Sequence, residues 1–168
     1  MPPFDFARTT SLVTGASSGL GAEFARQLAA RGGDLVLVAR SADRLAALAE
    51  ELRTRQRVTV TVWPTDLSVA DEVSRVAALT ATAEVHVLVN NAGFGTYGSF
   101  AGLDAGHEHA EVMVNAVAEP ETGGRQAPHL HGCSFRHTGC SDAPVRPGTP
   151  RRHPVPAARC GCTRIMGK

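Results

Sequence analysis

The glycine-rich segment at residues 14–21, TGASSGLG, constrains the fold of this chain more than any other feature. It follows a short apolar run at residues 11–13 and precedes apolar residues at a helical spacing. A strand, a glycine-rich turn and a helix in this order present backbone N–H groups to a phosphate. Gly15 permits a sharp turn, Gly19 permits close approach of a pyrophosphate, and Gly21 lets the helix lie close to the sheet.

The spacing of these glycines is G-x3-G-x-G, which differs from the G-x-G-x-x-G fingerprint of dinucleotide-binding turns. Ser17 and Ser18 add hydroxyl donors to the turn. On its own, the segment is equally compatible with ordinary turn chemistry. Residues elsewhere in the chain are needed to choose between a phosphate-binding turn and an ordinary turn.

Apolar runs alternate with helical patterns as far as residue 118. Strands are predicted near residues 11–14, 35–38, 58–63 and 85–90, and helices begin near residues 20, 41, 68 and 105. Because parallel strands connect through right-handed crossovers, this order predicts an α/β fold with helices on both faces of the sheet. The predicted fold is an incomplete doubly wound parallel sheet, Rossmann-like, with strand order 3-2-1-4. The residues predicted to face the core on the first and third helices are Leu20, Phe24, Leu28, Val73, Val76 and Leu79.

Polar or charged residues follow three of the predicted strands. Arg40 follows the second, Asp66 and Leu67 follow the third, and the tetrad Asn-Asn-Ala-Gly at residues 90–93 follows the fourth. Together with residues 14–21, they make the sequence resemble the short-chain dehydrogenase/reductase family from about residue 11 to about residue 118. The resemblance implies an oxidoreductase that transfers a hydride between a nicotinamide cofactor and an alcohol or carbonyl substrate.

The resemblance also implies a cofactor site. Arg40 favours a 2′-phosphate, and hence NADP over NAD, although the same residue is compatible with a solvated charge at a helix start. Asp66 and Leu67 would bracket the adenine, and the alternative is a plain turn before the third helix. The implied cofactor-binding residues are Gly15, Ser17, Ser18, Gly19, Leu20, Gly21, Arg40, Asp66, Leu67, Asn91, Ala92 and Gly93.

Of the catalytic residues that the family uses, only one has a counterpart here. Asn115 matches the family's catalytic asparagine, which bends its helix and holds a water for proton relay. The family also needs a serine, a tyrosine and a lysine four residues after the tyrosine, since an unperturbed tyrosine titrates near ~10. The only tyrosine is Tyr97 and the only lysine is Lys168, so no Tyr-x-x-x-Lys is present. We therefore predict impaired or absent catalysis.

Composition changes abruptly after residue 118. Residues 1–118 have a net charge of −4, whereas residues 119–168 have a net charge of +5 and contain all four cysteines and seven of the ten prolines. Only five Leu, Ile, Val or Phe residues occur among the last fifty, too few for a packed core. We predict a partial nucleotide-binding domain at 1–118 and a basic, disordered tail at 119–168.

We interpret this break as a change of coding frame near Ala118. In that case, the later strands and the oligomer interface of the family are missing, and the fourth strand is left as an open sheet edge.

The alternative function is a non-catalytic module whose tail binds metal or nucleic acid. Its Cys and His residues have gaps of one or six residues, unlike the paired ligands of zinc sites, so no metal site is predicted. Phe135 is the only aromatic residue after Phe100, which argues against specific nucleic-acid binding. The segment HEHAE at 107–111 is not H-E-x-x-H, and we interpret it as a solvated helix start. No apolar run resembles a signal or a membrane span, so a cytoplasmic location is expected.

Overall fold

The computed structural model describes residues 5–118 and the backbone of residues 131–134. Strands and helices alternate as predicted. The strands are β1 (Thr10–Thr14), β2 (Asp34–Ala39), β3 (Val60–Pro64), β4 (Val85–Asn90) and β5 (His131–Ser134). The helices are α1 (Gly19–Ala30), α2 (Ala42–Gln56), α3 (Ala70–Thr82) and α4 (Ala105–Val112), with a π-helical turn, Met113–Val117, continuing α4 and short 3-10 turns at Phe6–Arg8 and Phe100–Gly102.

The five strands form one parallel sheet in the order β3-β2-β1-β4-β5. The predicted order of the first four strands is therefore confirmed. In the register, Thr14 lies opposite Val38, and Ala39 lies opposite Pro64. The carboxyl ends of β1, β2 and β3 consequently meet at one edge of the sheet, where ligands bind in open α/β sheets.

Two apolar clusters cover the two faces of the sheet. Alternate residues of β1 and β2 enter each cluster, because successive side chains of a strand point to opposite faces. The first cluster contains Val13 and Leu37 and packs against α1 and α2. The second contains Leu12 and Val36 and packs against α3 and Ala118. Burial on both faces explains why β2 reads as a continuous apolar run.

The predicted core faces of α1 and α3 are partly wrong. Leu20 is 52% exposed, and the face of α1 that meets the sheet consists mainly of small residues, including Gly21 and Ala25. In the first turn of α1, the buried position is Gly21, where a Cβ would lie 2.3 Å from the Gly15 carbonyl oxygen. Leu79 of α3 is also exposed, and the neighbouring Thr80 is buried in its place.

The prediction of an open edge at β4 is wrong. β5 pairs with β4 in parallel, with His131 opposite Val87 and Ser134 opposite Asn90. Backbone pairing with β4 places these residues in the sheet. Their sequence, His-Gly-Cys-Ser, has no alternation of apolar and polar residues, so the strand could not be recognised from the sequence. Apart from these four residues, the tail at 119–168 lies outside the described residues, so its predicted disorder stays a prediction.

Candidate functional site

An open cavity of about 440 Å³ lies at the carboxyl ends of the strands. Its walls come from the turn after β1, the start of α2, the turn after β3 and the tetrad after β4. Eleven of the twelve residues predicted to bind a cofactor line it: Gly15, Ser17, Ser18, Gly19, Leu20, Arg40, Asp66, Leu67, Asn91, Ala92 and Gly93. The twelfth, Gly21, is buried and packs beneath the glycine-rich turn.

The three glycines of the turn have different surroundings. Gly15 and Gly19 have φ angles of +65° and +56°, a conformation that favours glycine. A Cβ on Gly19 would meet no atom within 4 Å, so this glycine keeps the cavity open. A Cβ on Gly21 would lie 2.3 Å from the Gly15 carbonyl oxygen and 2.5 Å from Asn91 Nδ2, so no side chain fits there.

The first turn of α1 suits an anion better than those of the next two helices. Asp43 lies in the first turn of α2, and Asp71 and Glu72 lie in that of α3. The first turn of α1 has no acidic residue, and its N-cap, Ser18, makes no side-chain bond to the helix. The partial positive charge of this helix end is therefore uncompensated by any acidic residue of the turn itself.

A hydrogen-bonded link between β1 and β4 supports the turn from below. The Thr14 hydroxyl accepts from the backbone N–H groups of Asn91 at 3.0 Å and Ala92 at 2.9 Å, and it lies 3.4 Å from the Val89 carbonyl oxygen. Asn91 Nδ2 donates to the Thr14 carbonyl at 3.1 Å. Asn91 Oδ1 is buried and has no protein partner within the described part of the chain. This link fixes the spacing between the glycine-rich turn and the Asn-Asn-Ala-Gly tetrad.

Two arginines occupy the end of the cavity beside β2. Arg40 follows the strand directly, and its Cζ lies 6.0 Å from the centroid of the Phe94 ring. Arg44, in the first turn of α2, donates from Nη2 to the Ser41 hydroxyl at 2.7 Å. Both arginines line the cavity and both are exposed. They make this end of the cavity electropositive.

Asp66 holds the turn between β3 and α3. Its Oδ1 accepts from the backbone N–H of Ser68 at 3.0 Å and from the Ser68 hydroxyl at 2.7 Å. Partial burial raises the pKa of Asp66, but the hydrogen bonds from Ser68 and the charge of Arg40 outweigh it, so the pKa lies below its ordinary value. Ser68 therefore donates to Asp66 and is not the N-cap of α3. The N-cap is Val69, and the helix begins at Ala70.

Asn115 connects the π-helical turn to the loop after β4. Its Nδ2 donates to the Phe94 carbonyl at 2.8 Å, and its Oδ1 accepts from the Phe94 N–H at 3.2 Å. The helix containing it changes from α to π geometry at Met113. Asn115 does not line the cavity, whereas Phe94 and Val114 do.

The carboxylates of residues 107–111 are not simply solvated, contrary to our interpretation of that segment. Glu111 Oε2 accepts from both the N–H and the hydroxyl of Thr96, at 2.8 and 2.7 Å, and the same hydroxyl bonds Glu108. The side-chain bond from Thr96 is the main reason that the pKa of Glu111 is lowered. Among the residues that the structure describes, no cluster of three or more His, Cys, Asp or Glu is placed to hold a metal ion.

Comparison with known proteins identifies the family. A family model described as short chain dehydrogenase matches residues 9–124, more than half of the chain.

The chain belongs to the short-chain dehydrogenase family.

Individual members of the family are also similar. The very-long-chain 3-oxoacyl-CoA reductase of Meyerozyma guilliermondii is 43% identical over 101 residues, which cover 55% of this chain and 30% of that protein. The structure of a bulky-bulky ketone specific alcohol dehydrogenase from Comamonas testosteroni matches with a TM-score of 0.66 and 38% identity, covering 68% of this chain and 47% of that one. A short-chain dehydrogenase from Sphingobium yanoikuyae in complex with NADPH matches with a TM-score of 0.65 and 39% identity, covering 68% and 45%. The chain thus spans less than half the length of each of these three proteins.

Several residues that line the cavity were not predicted from the sequence. They are Ala39, Ser41, Arg44, Thr65, Phe94 and Val114. Arg44 had a usable signal, because it is a second basic residue in the first turn of the helix that begins just after Arg40. Phe94 and Val114 had none, since the contact between their segments is made only in the folded chain.

Tyr97 does not contribute to the cavity. Its side chain is 80% exposed, and it is absent from the cavity wall. Within the described residues, no helix has both the length and the apolar character needed to cross a membrane.

Asp66 provides a test by pH. A carboxyl group whose pKa is lowered in the folded state stabilises the fold above its unfolded pKa of about 3.9, and this stabilisation is lost as the pH falls through the folded pKa. We expect Asp66→Asn to reduce the free energy of unfolding at about pH 7, and this effect should shrink as the pH falls below the unfolded pKa and through the lower folded pKa, where the folded state also takes up the proton. Urea unfolding of both proteins across this range measures the difference. A difference that is independent of pH would contradict the assigned hydrogen bonds.

Proposed function

We propose that this chain binds NADP(H) as the cofactor-binding part of an oxidoreductase acting on an alcohol or carbonyl substrate. The observation that supports it most is the placement of an acid-free helix start and two arginines on one cavity. A pyrophosphate needs the first feature, and a 2′-phosphate needs the second. The bound NADPH in the Sphingobium yanoikuyae relative supports the same choice.

The residues present fit this cofactor. Gly19 leaves open space in the wall where any side chain would project, as the approach of a pyrophosphate requires. Ser17 and Ser18 would add hydroxyl donors beside it. Among the residues that the structure describes, Asn91 Oδ1 is a buried acceptor without a protein partner, which is suited to an ordered water or a ligand group at the cavity wall.

At the other end, Arg40 and Arg44 would hold the 2′-phosphate. Guanidinium groups recognise phosphate through several N–H donors at once, and Ser41 already orients one of them. Asp66 and Leu67 would contact the adenine. Ala92 and Gly93 would leave room for the ribose and the nicotinamide, since neither has a large side chain.

When bound, NADP(H) would supply or accept a hydride at the nicotinamide. By the family resemblance, Asn115 would help to position a water for proton transfer, and its side chain, which bonds Phe94 and does not line the cavity, would act from behind the cavity wall. The tyrosine and lysine that the family uses for proton delivery have no counterpart in the sequence. We therefore propose cofactor binding with little or no turnover by this chain, and a cytoplasmic setting for it.

Nucleotide titration tests the proposal. In fluorescence titrations of the full chain, NADPH is expected to bind more tightly than NADH. Arg40→Gln should raise the Kd for NADPH roughly tenfold or more, because a hydrogen bond between charged groups contributes about 1.5–3 kcal/mol. It should leave the Kd for NADH nearly unchanged.

Arg75→Gln is the matched control, because Arg75 is exposed on α3 and does not line the cavity. It should leave both constants unchanged. Equal affinity of the unaltered chain for NADPH and NADH, or an unaltered preference in Arg40→Gln, would reject the proposed site.

A further inference from the structure

We propose that the ring of Phe94 positions Arg40, and that this contact helps to determine the preference for a nucleotide with a 2′-phosphate. The inference rests on the proposed function and assigns a role to a residue outside the glycine-rich turn and the arginine pair. Phe94 would be a positioning residue, acting on the phosphate through Arg40.

The contact itself is the first observation. Arg40 Cζ lies over the Phe94 ring, 6.0 Å from its centroid, within the range of a cation–π interaction. Arg40 is exposed, and within the described residues its guanidinium makes no hydrogen bond or ion pair, although its charge acts on Asp66. The ring of Phe94 is therefore a contact that limits where this long side chain lies.

The second observation is that Phe94 is itself held in place. Its backbone N–H and carbonyl are both bonded to the Asn115 side chain. Its ring also meets His107 in an edge-on arrangement, with centroids 6.4 Å apart and the planes inclined by 62°. A ring fixed from two sides is a stable platform for a flexible cation.

Stacking on the ring is compatible with phosphate binding. The N–H donors of a guanidinium point outward in its plane, so its face can rest on an aromatic ring while its edge donates to an anion. Without the ring, an exposed arginine samples many rotamers and must be ordered when the ligand binds. The ring should therefore lower the cost of binding a 2′-phosphate and have little effect on a 2′-hydroxyl.

The same contacts join two parts of the site. Arg40 lies between β2 and α2, and Asn115 belongs to the π-helical turn after α4. Phe94 contacts both Arg40 and Asn115, so a displacement of Asn115 would shift Phe94 and, through it, the position of Arg40.

The test is a double-mutant cycle in the full chain, with NADPH and NADH titrated against each variant. Phe94→Leu removes the ring and keeps an apolar side chain. It should raise the Kd for NADPH about two- to fivefold, as expected for loss of an exposed cation–π contact, and change that for NADH much less. Phe94→Tyr keeps the ring and should retain the affinity for NADPH. In an Arg40→Gln background, Phe94→Leu should have no further effect on NADPH.

The outcomes separate this inference from the proposed function. If Arg40→Gln abolishes the preference for NADPH while Phe94→Leu leaves it intact, the site stands and the role of Phe94 is rejected. If Phe94→Leu weakens both nucleotides equally, the ring supports the loop and not Arg40, which also rejects the inference. If the unaltered chain shows no preference for NADPH, the proposed function is rejected together with the inference.

Discussion

Gly21→Ala is expected to lower the free energy of unfolding by roughly 3 kcal/mol and to abolish nucleotide binding. The new Cβ would lie 2.3 Å from the Gly15 carbonyl oxygen, far inside van der Waals contact. The obstacle is backbone, which has no alternative rotamer, so α1 would have to move away from the sheet. Urea or thermal unfolding measures the first effect, and NADPH titration measures the second.

Gly19→Ala is the matched control for the effect on the free energy of unfolding. The same methyl group is added two residues earlier in the chain, where it meets no atom within 4 Å. Its cost should be limited to about 1–2 kcal/mol for an alanine at positive φ, and the fold should survive. Equal stability of the Gly21→Ala protein and the unaltered chain would show that α1 does not pack on the turn as described.

Thr14→Val should be nearly as damaging, although it barely changes the shape of the side chain. It removes the acceptor of two backbone N–H groups, those of Asn91 and Ala92. Thr14 is only 2% exposed, so water has little access to replace the lost acceptor. Each unsatisfied buried donor costs about 1–3 kcal/mol, and we expect a loss of about 2–4 kcal/mol in the free energy of unfolding.

Thr80→Val makes the same exchange at a site that is equally buried, with 3% exposure. There the hydroxyl only donates, to the Val76 carbonyl at 2.8 Å within α3. Its loss leaves no donor unsatisfied, so the change should be below about 1 kcal/mol. Similar losses for the two variants in urea unfolding would argue against the Thr14 link as the cause.

Much of the fold followed from local signals in the sequence. The apolar runs of β1, β2 and β4 and the helical spacing of α2 each lie within a few residues, so a pattern can detect them. The order of the first four strands followed from the handedness of the crossovers and the family resemblance. β5 was missed because its residues carry no such pattern.

The site was predictable to the extent that its residues form short motifs. The glycine-rich turn, Arg40 and the Asn-Asn-Ala-Gly tetrad are contiguous or follow directly from strand ends. The hydroxyl of Thr14 and the ring of Phe94 were not found, because their partners lie far away in the sequence. Leu20 was predicted to lie both in the core and in the cavity wall. It lines the cavity, and Gly21 takes the buried position in the first turn of α1.

The link between Thr14 and Asn91 also bears on the order of folding. It joins residues 77 positions apart. Such a contact has to close a long loop, which makes it a late event in the assembly of a sheet. A chain in which β1, β2 and β3 have already paired would contain the complete glycine motif, yet its turn would lack the support that β4 provides. Competence to bind a nucleotide would therefore be acquired at the docking of β4, so a nucleotide would act mainly by retarding unfolding and would do little to accelerate folding.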